Sequence, residues 1–201
     1  VLIILRQHRG VRLANERYEE IKADIIDMFE ECDVHTFPLN AFDIAETLHY
    51  NVVPYSSLPV EKRIKCHCIS KDGCSELDYN QETGMYTYNI YYNDSSDIDD
   101  SRVHFTIMHE IGHIRLGHLD EDIDKPDNYK ESEANFYAAY SLAPPPMIDY
   151  YACANQDDLC RTFHVSWEMS GYCLERYVKW LSCNPYYTEY ETQLMSLFGA
   201  A

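Results

Sequence analysis

Apolar positions along this chain follow two different periods, and the switches between them mark out its elements. Tyr18, Ile21, Ile25, Met28 and Phe29 recur every three or four residues, so residues 12–31 are predicted to form an amphipathic helix. A second, shorter helix is predicted over 39–49, after Pro38 and ending near Asn51. Strand signals follow at 51–55, 64–69 and the aromatic-rich 85–92, with Lys71-Asp72-Gly73 reading as a turn. These runs predict a small, mostly antiparallel sheet whose last strand could serve as an edge for an extended chain.

The pattern then returns to the helical period. Val103, Phe105, Ile107, Met108, Ile111, Ile114 and Leu116 cover much of a helix circumference without Pro or Gly before the motif they carry, and a helix that is apolar nearly all round is buried. Acidic Asp99 and Asp100 with an N-cap at Ser101 mark its start, and Gly117 suits a left-handed position at its end. This buried helix carries His109-Glu110-Ile111-Gly112-His113. Histidines four apart share a helix face and can reach one metal ion, while Glu110 stands beside that ion, where a carboxylate can take a proton from water. Burying these three side chains would be costly unless something bound them, and zinc is the economical candidate.

A catalytic zinc takes a third protein ligand and keeps an open position. In the longer metzincin pattern a glycine and a third histidine fall seven and ten positions after the first histidine. Here Leu116 and Leu119 stand there, so His118 is not that ligand. It reads instead as a partly exposed histidine just past the helix end, or as a supporting or substrate-facing group. The next helical stretch, 130–140, ends before Pro144-Pro145-Pro146 and offers Glu133, twenty positions after His113, beyond an acidic, solvated loop at 120–129. Ala134, Ala138 and Leu142 run along a packed face beside Glu133, whereas Glu131, the competing ligand, points toward the loop. Glu133 is therefore the expected ligand.

Beyond the prolines, 147–153, 157–163 and 166–181 read as helices. Leu159, Phe163, Val165 and Leu174 resemble a helix-turn-helix. A DNA reader would want a basic recognition helix, but Glu168 and Glu175 offset Arg176 and Lys179, which favours packing or partner docking. A net charge of −18 argues against nucleic acid or anionic membrane as general partners. An acidic rim could instead steer a basic segment toward the metal. A hydrophobic fraction of 46% suits a globular chain. The apolar opening Val1-Leu2-Ile3-Ile4-Leu5 is too short to span a membrane and lacks the order of a signal peptide. Eight cysteines without such a signal read as reduced thiols, although Cys66, Cys68 and Cys74 form a weak pattern for a second metal.

With these residues in view the chain resembles the ImmA/IrrE family of metallopeptidases. The resemblance rests on the Tyr/Ile-rich strand ending at Asn93, the lead-in with Phe105-Thr106, the His109-to-His113 motif, Glu133-Ala134-Asn135 followed by Phe136 and Ala138, and then Leu142 and Pro144. It spans roughly residues 35–180. His104 and Tyr137 depart from the family pattern and leave the substrate pocket's shape open. The resemblance implies His109, His113 and Glu133 as zinc ligands and Glu110 as general base. It also implies a cytoplasmic regulatory protease, often encoded on mobile elements, that cleaves a transcriptional regulator. The oxyanion donor is open among Tyr137, Tyr140, His118 and His164. The expected fold is α+β, with a peptidase core over 1–143 and a helical extension over 144–201 packed on it. The alternative is a non-proteolytic regulatory binding protein with a structural or vestigial zinc.

Overall fold

The computed structural model describes residues 11–81, 84–119, 127–183 and 187–199. The apolar opening at 1–5 and most of the acidic loop at 120–129 lie outside them. Helix α1 (Asn15–Glu31) buries Ile21, Ile25, Ile26, Met28 and Phe29, the stripe its sequence predicts. Helix α2 (Ala41–Thr47) starts where the Asn40 side chain accepts the Phe42 N–H. Strand β1 (Asn51–Pro54) leads through a short 3-10 turn (Tyr55–Ser57) into α3 (Val60–Ile69), where a strand was expected. The alternation of Ile64, Cys66 and Cys68 suggests a strand. However, Pro59 fixes the backbone at the start, Glu61 precedes Lys65 at helical spacing, and only Cys66 is buried.

Strands β2 (Gly73–Asn80) and β3 (Met85–Tyr92) complete a sheet of order β1-β3-β2. The pairing of β1 with β3 is parallel, Asn51 opposite Asn89, and that of β2 with β3 is antiparallel, Gly73 opposite Tyr92. The sheet is thus mixed rather than mostly antiparallel. The last strand lies at its centre, and β2 is an edge. The polar sequence of β2 (Gly-Cys-Ser-Glu-Leu-Asp-Tyr-Asn) hides it from a hydrophobic-pattern reading, as suits an edge strand that need bury little.

Helix α4 (Asp100–Arg115) is capped by Asp99, whose carboxylate accepts the Ser101 N–H, two residues ahead of the expected cap. Beyond it, Gly117 takes the left-handed backbone, φ 71°, that glycine adopts without strain. Helix α5 (Asp127–Leu142) packs along α4. Gly112 permits the approach: a Cβ there would lie 2.9 Å from Cβ of Tyr137, closer than two carbons can sit. Helices α6 (Pro145–Tyr150), α7 (Gln156–Phe163), α8 (Trp167–Cys183) and α9 (Glu189–Leu197) follow. Their buried Ile148, Phe163, Met169, Leu194 and Phe198 belong to the same apolar cluster as Ile21, Phe29, Ile107 and Ile111. Among the described residues no helix is long and apolar enough to cross a membrane.

Candidate metal centre and active-site cleft

One turn of α4 brings His109 and His113 side by side, with their Nε2 atoms 3.1 Å apart. The carboxylate facing them is that of Glu131, in the first part of α5. Its Oε2 lies 3.4 Å from His109 Nε2 and its Oε1 3.3 Å from His113 Nε2. Three donors held by one tetrahedral zinc with bonds of about 2.0–2.1 Å would be separated by roughly 3.3 Å, so this triangle fits such an ion. The donor set, two imidazoles and a carboxylate, also suits zinc. Hydrogen bonds from His109 and then His113 hold the Glu131 carboxyl well below its ordinary pKa, in the ionised form a metal needs. Asn135, one turn further along α5, lies beside His109 in the same cleft.

Glu133, the expected third ligand, lies elsewhere. Two residues along a helix turn a side chain by about 200°, so Glu131 and Glu133 leave α5 on nearly opposite faces. Glu133 is fully buried and accepts a two-pronged bond from Arg17 of α1, at 2.7 Å from Nε and 3.1 Å from Nη2. Its Oε2 is also 2.8 Å from His118 Nε2, and His118 Nδ1 is 3.0 Å from His113 Nδ1. A carboxylate only accepts, so His118 Nε2 carries a hydrogen and its Nδ1 is left to accept from His113 Nδ1. His113 Nε2 faces Glu131, and the hydrogen it shares there would leave when a metal binds. Arg17, Glu133 and His118 thus form a buried chain that fixes the tautomer and tilt of His113, an arrangement typical of histidines that bind metals.

Glu110 is buried on the cleft side of α4, where Ser75 of β2 donates a 2.7 Å hydrogen bond to its Oε2. Gly73 lets β2 come this close: a Cβ there would lie 2.4 Å from the Thr106 methyl. A cleft of about 340 Å³ opens over the start of β2, lined by Gly73, Ser75, His109, Glu110, His113 and Glu131. A larger one of about 1360 Å³ runs from His109, Glu110 and Glu131 across α4 to the α7–α8 turn and the inner face of α8. Of the four oxyanion candidates, only His164 lines it. Tyr137 is core packed on Gly112, His118 belongs to the buried chain, and Tyr140 sits beneath Arg176.

Two other clusters do not make comparable sites. Asp100, His104 and His164 bring potential ligand atoms together, but His104 Nδ1 accepts the Ala41 N–H at 3.1 Å. The ring hydrogen therefore sits on Nε2, the atom facing Asp100, and no lone pair is left there for a metal. Cys66 and Cys68 are two apart on α3 and point apart. Cys66 is buried with Cys74 and Cys68 is exposed, and among the described residues they form no ligand group.

Ser75 and Arg17 escaped the sequence reading. Ser75 stands in a polar strand and belongs to no motif, and Arg17 is one charge among many along α1. His118 was visible as a supporting residue only through its failure to fit the metzincin count. No curated protein matches the chain. Residues 69–175, just over half of it, match the IrrE N-terminal-like domain of peptidase family M78, and the chain belongs to that family.

Proposed function

We propose that the protein is a zinc-dependent endopeptidase in which His109, His113 and Glu131 hold the metal and Glu110 is the general base. The observation carrying this reading is the 3.1–3.4 Å triangle of His109, His113 and Glu131 atoms with a second carboxylate, Glu110, beside it in an open cleft. A bound zinc ion would acidify a water and polarise the scissile carbonyl. Glu110 takes the proton of the attacking water and returns it to the leaving amine. Ser75 fixes the Glu110 carboxylate through one oxygen and leaves the other to handle that proton. The edge of β2 beside Glu110 offers backbone groups on which an extended peptide can pair, a role the sequence assigned to β3.

For the substrate we infer a regulatory protein, such as a transcriptional regulator, on the strength of the family likeness. The protein's own acidic charge argues against a direct nucleic-acid role. The test is metal-loaded wild type against Glu110→Gln on an unfolded protein substrate, with zinc content measured in both. Wild type should cut and the variant should bind zinc without cutting. Equal cleavage by both would refute the assignment of Glu110, and zinc binding with no hydrolysis by either would leave a regulatory binding protein.

A further inference from the structure

The larger cleft is an acidic place. Asp72, Asp97, Asp99, Glu110, Glu131 and Glu168 all line it. Two cations line it among the described residues, and they are treated differently. Arg102 is paired with Asp72 at 2.8 Å. Arg176, on α8, has no carboxylate partner among the described residues. Its guanidinium lies over two rings of α5, 5.1 Å from the centre of Tyr140 and 5.7 Å from that of Phe136, and its Nη1 is buried with no hydrogen-bond partner among them. An aromatic shelf holds the plane of a guanidinium and lowers the local dielectric, but it satisfies none of the N–H groups. With Nη1 turned into the protein, the remaining N–H groups of this half-buried guanidinium are the ones a ligand in the cleft can meet, and a planar carboxylate matches the Nε and Nη2 edge two-to-two.

We infer that Arg176 recognises a carboxylate of the peptide bound in this cleft, away from the bond that is cut. This rests on the peptidase reading of the metal centre. Phe136 and Tyr140 stand five and nine residues beyond Glu131 and about 140–180° round α5 from it, so a carboxylate held by Arg176 sits well away from the metal centre. The surrounding acids sharpen the choice, since they repel a carboxylate everywhere in the cleft except at Arg176. The carboxylate can be an Asp or Glu side chain or the C-terminus of a short substrate.

The probe is a set of fluorescent, amidated octapeptides with degenerate flanks in which one position at a time is Glu or Gln, with a matching set ending in a free carboxylate. Binding is read by anisotropy on metal-loaded Glu110→Gln protein, which holds peptides without turning them over. One position should prefer Glu over Gln by on the order of tenfold. Arg176→Gln should erase that preference and Arg176→Lys should keep part of it. A preference for the free over the amidated end, also lost in Arg176→Gln, assigns the chain terminus instead. Equal binding of Glu and Gln peptides to the parent protein, or a preference that survives Arg176→Gln, overturns the inference. The Glu and Gln comparison needs no change at Arg176, so equal binding overturns the inference even if Arg176→Gln fails to fold, and Arg176→Lys then carries the assignment. Wild-type protein run on the same peptides separates the two readings: Arg176-dependent binding without cleavage would sink the peptidase and leave the carboxylate site. Cleavage indifferent to carboxylates would do the reverse.

Discussion

Replacing Glu133 by alanine removes the acceptor at the centre of the buried chain and leaves the Arg17 guanidinium and the His118 N–H facing an apolar gap. Breaking a buried charge pair from one side costs about 3–5 kcal/mol when both partners are dry. Glu133 is fully buried, but the Arg17 side chain is 23% exposed and can regain some water, which brings the expected loss of folding stability to about 2–4 kcal/mol. That loss should appear in a urea titration with chelator present, where no metal contributes. Zinc affinity should fall only by roughly 10–100-fold, the usual effect of removing a group that orients a metal-binding histidine. Glu131→Ala should behave the opposite way. Its side chain is 56% exposed, so the chelated protein should keep wild-type stability, while the zinc titration against a chromogenic chelator loses the stoichiometric uptake seen in wild type. A Glu133→Ala protein as stable as wild type in chelator, or one that loses zinc while Glu131→Ala retains it, would refute this division of roles.

Gly112→Ala places a methyl against the Cβ of Tyr137, which cannot swing away, and should cost about 1–3 kcal/mol in thermal or urea unfolding. Asp99→Ala removes the α4 cap and should cost about 1 kcal/mol at neutral pH. The Ser101 hydrogen bond lowers the Asp99 pKa on folding, so the stabilisation is full above the unfolded value near 3.9 and disappears as pH falls through the folded one; the two proteins should converge in stability as the solution is acidified past that point. Ser75→Ala frees the Glu110 carboxylate and should lower kcat/KM roughly tenfold without changing zinc content, measured by metal analysis beside the assay.

The strongest periodic segments were legible in the sequence: α1, α4 and α5 each bury the stripe their spacing predicts. Elements whose stability comes from context were not. Strand β2 draws its place from pairing with β3, and α3 carries too little buried surface to declare its period. The expectation of Glu133 beside the two histidines, where the structure brings Glu131, has a physical origin. The position of Glu133 beside Ala134 and Ala138 correctly marks it as buried, but burial indicates a structural partner as readily as a ligand. A catalytic metal needs an open side, so its carboxylate ligand belongs on the face turned toward solvent, where the sequence pattern placed Glu131. The grouping of the two histidines with Glu110 was readable because it is set within one helix turn. Arg17 could not be found, because nothing local connects it with a residue 116 positions away.

That last separation ties the metal centre to the history of the chain. Residues 69–175 contain both histidines and both candidate carboxylate ligands, yet the guanidinium that seats Glu133 comes from α1, outside them. A contact closed over 116 residues forms after local helices have done so, and His113 is held at its final angle only once α1 has docked on α5. On the proposed metal assignment, high-affinity metal uptake would be a late event, available to the finished fold and weaker in any partly assembled one. A growing or damaged chain with α1 adrift would carry the whole motif and still be slow to arm itself, which for a protease protects its neighbours.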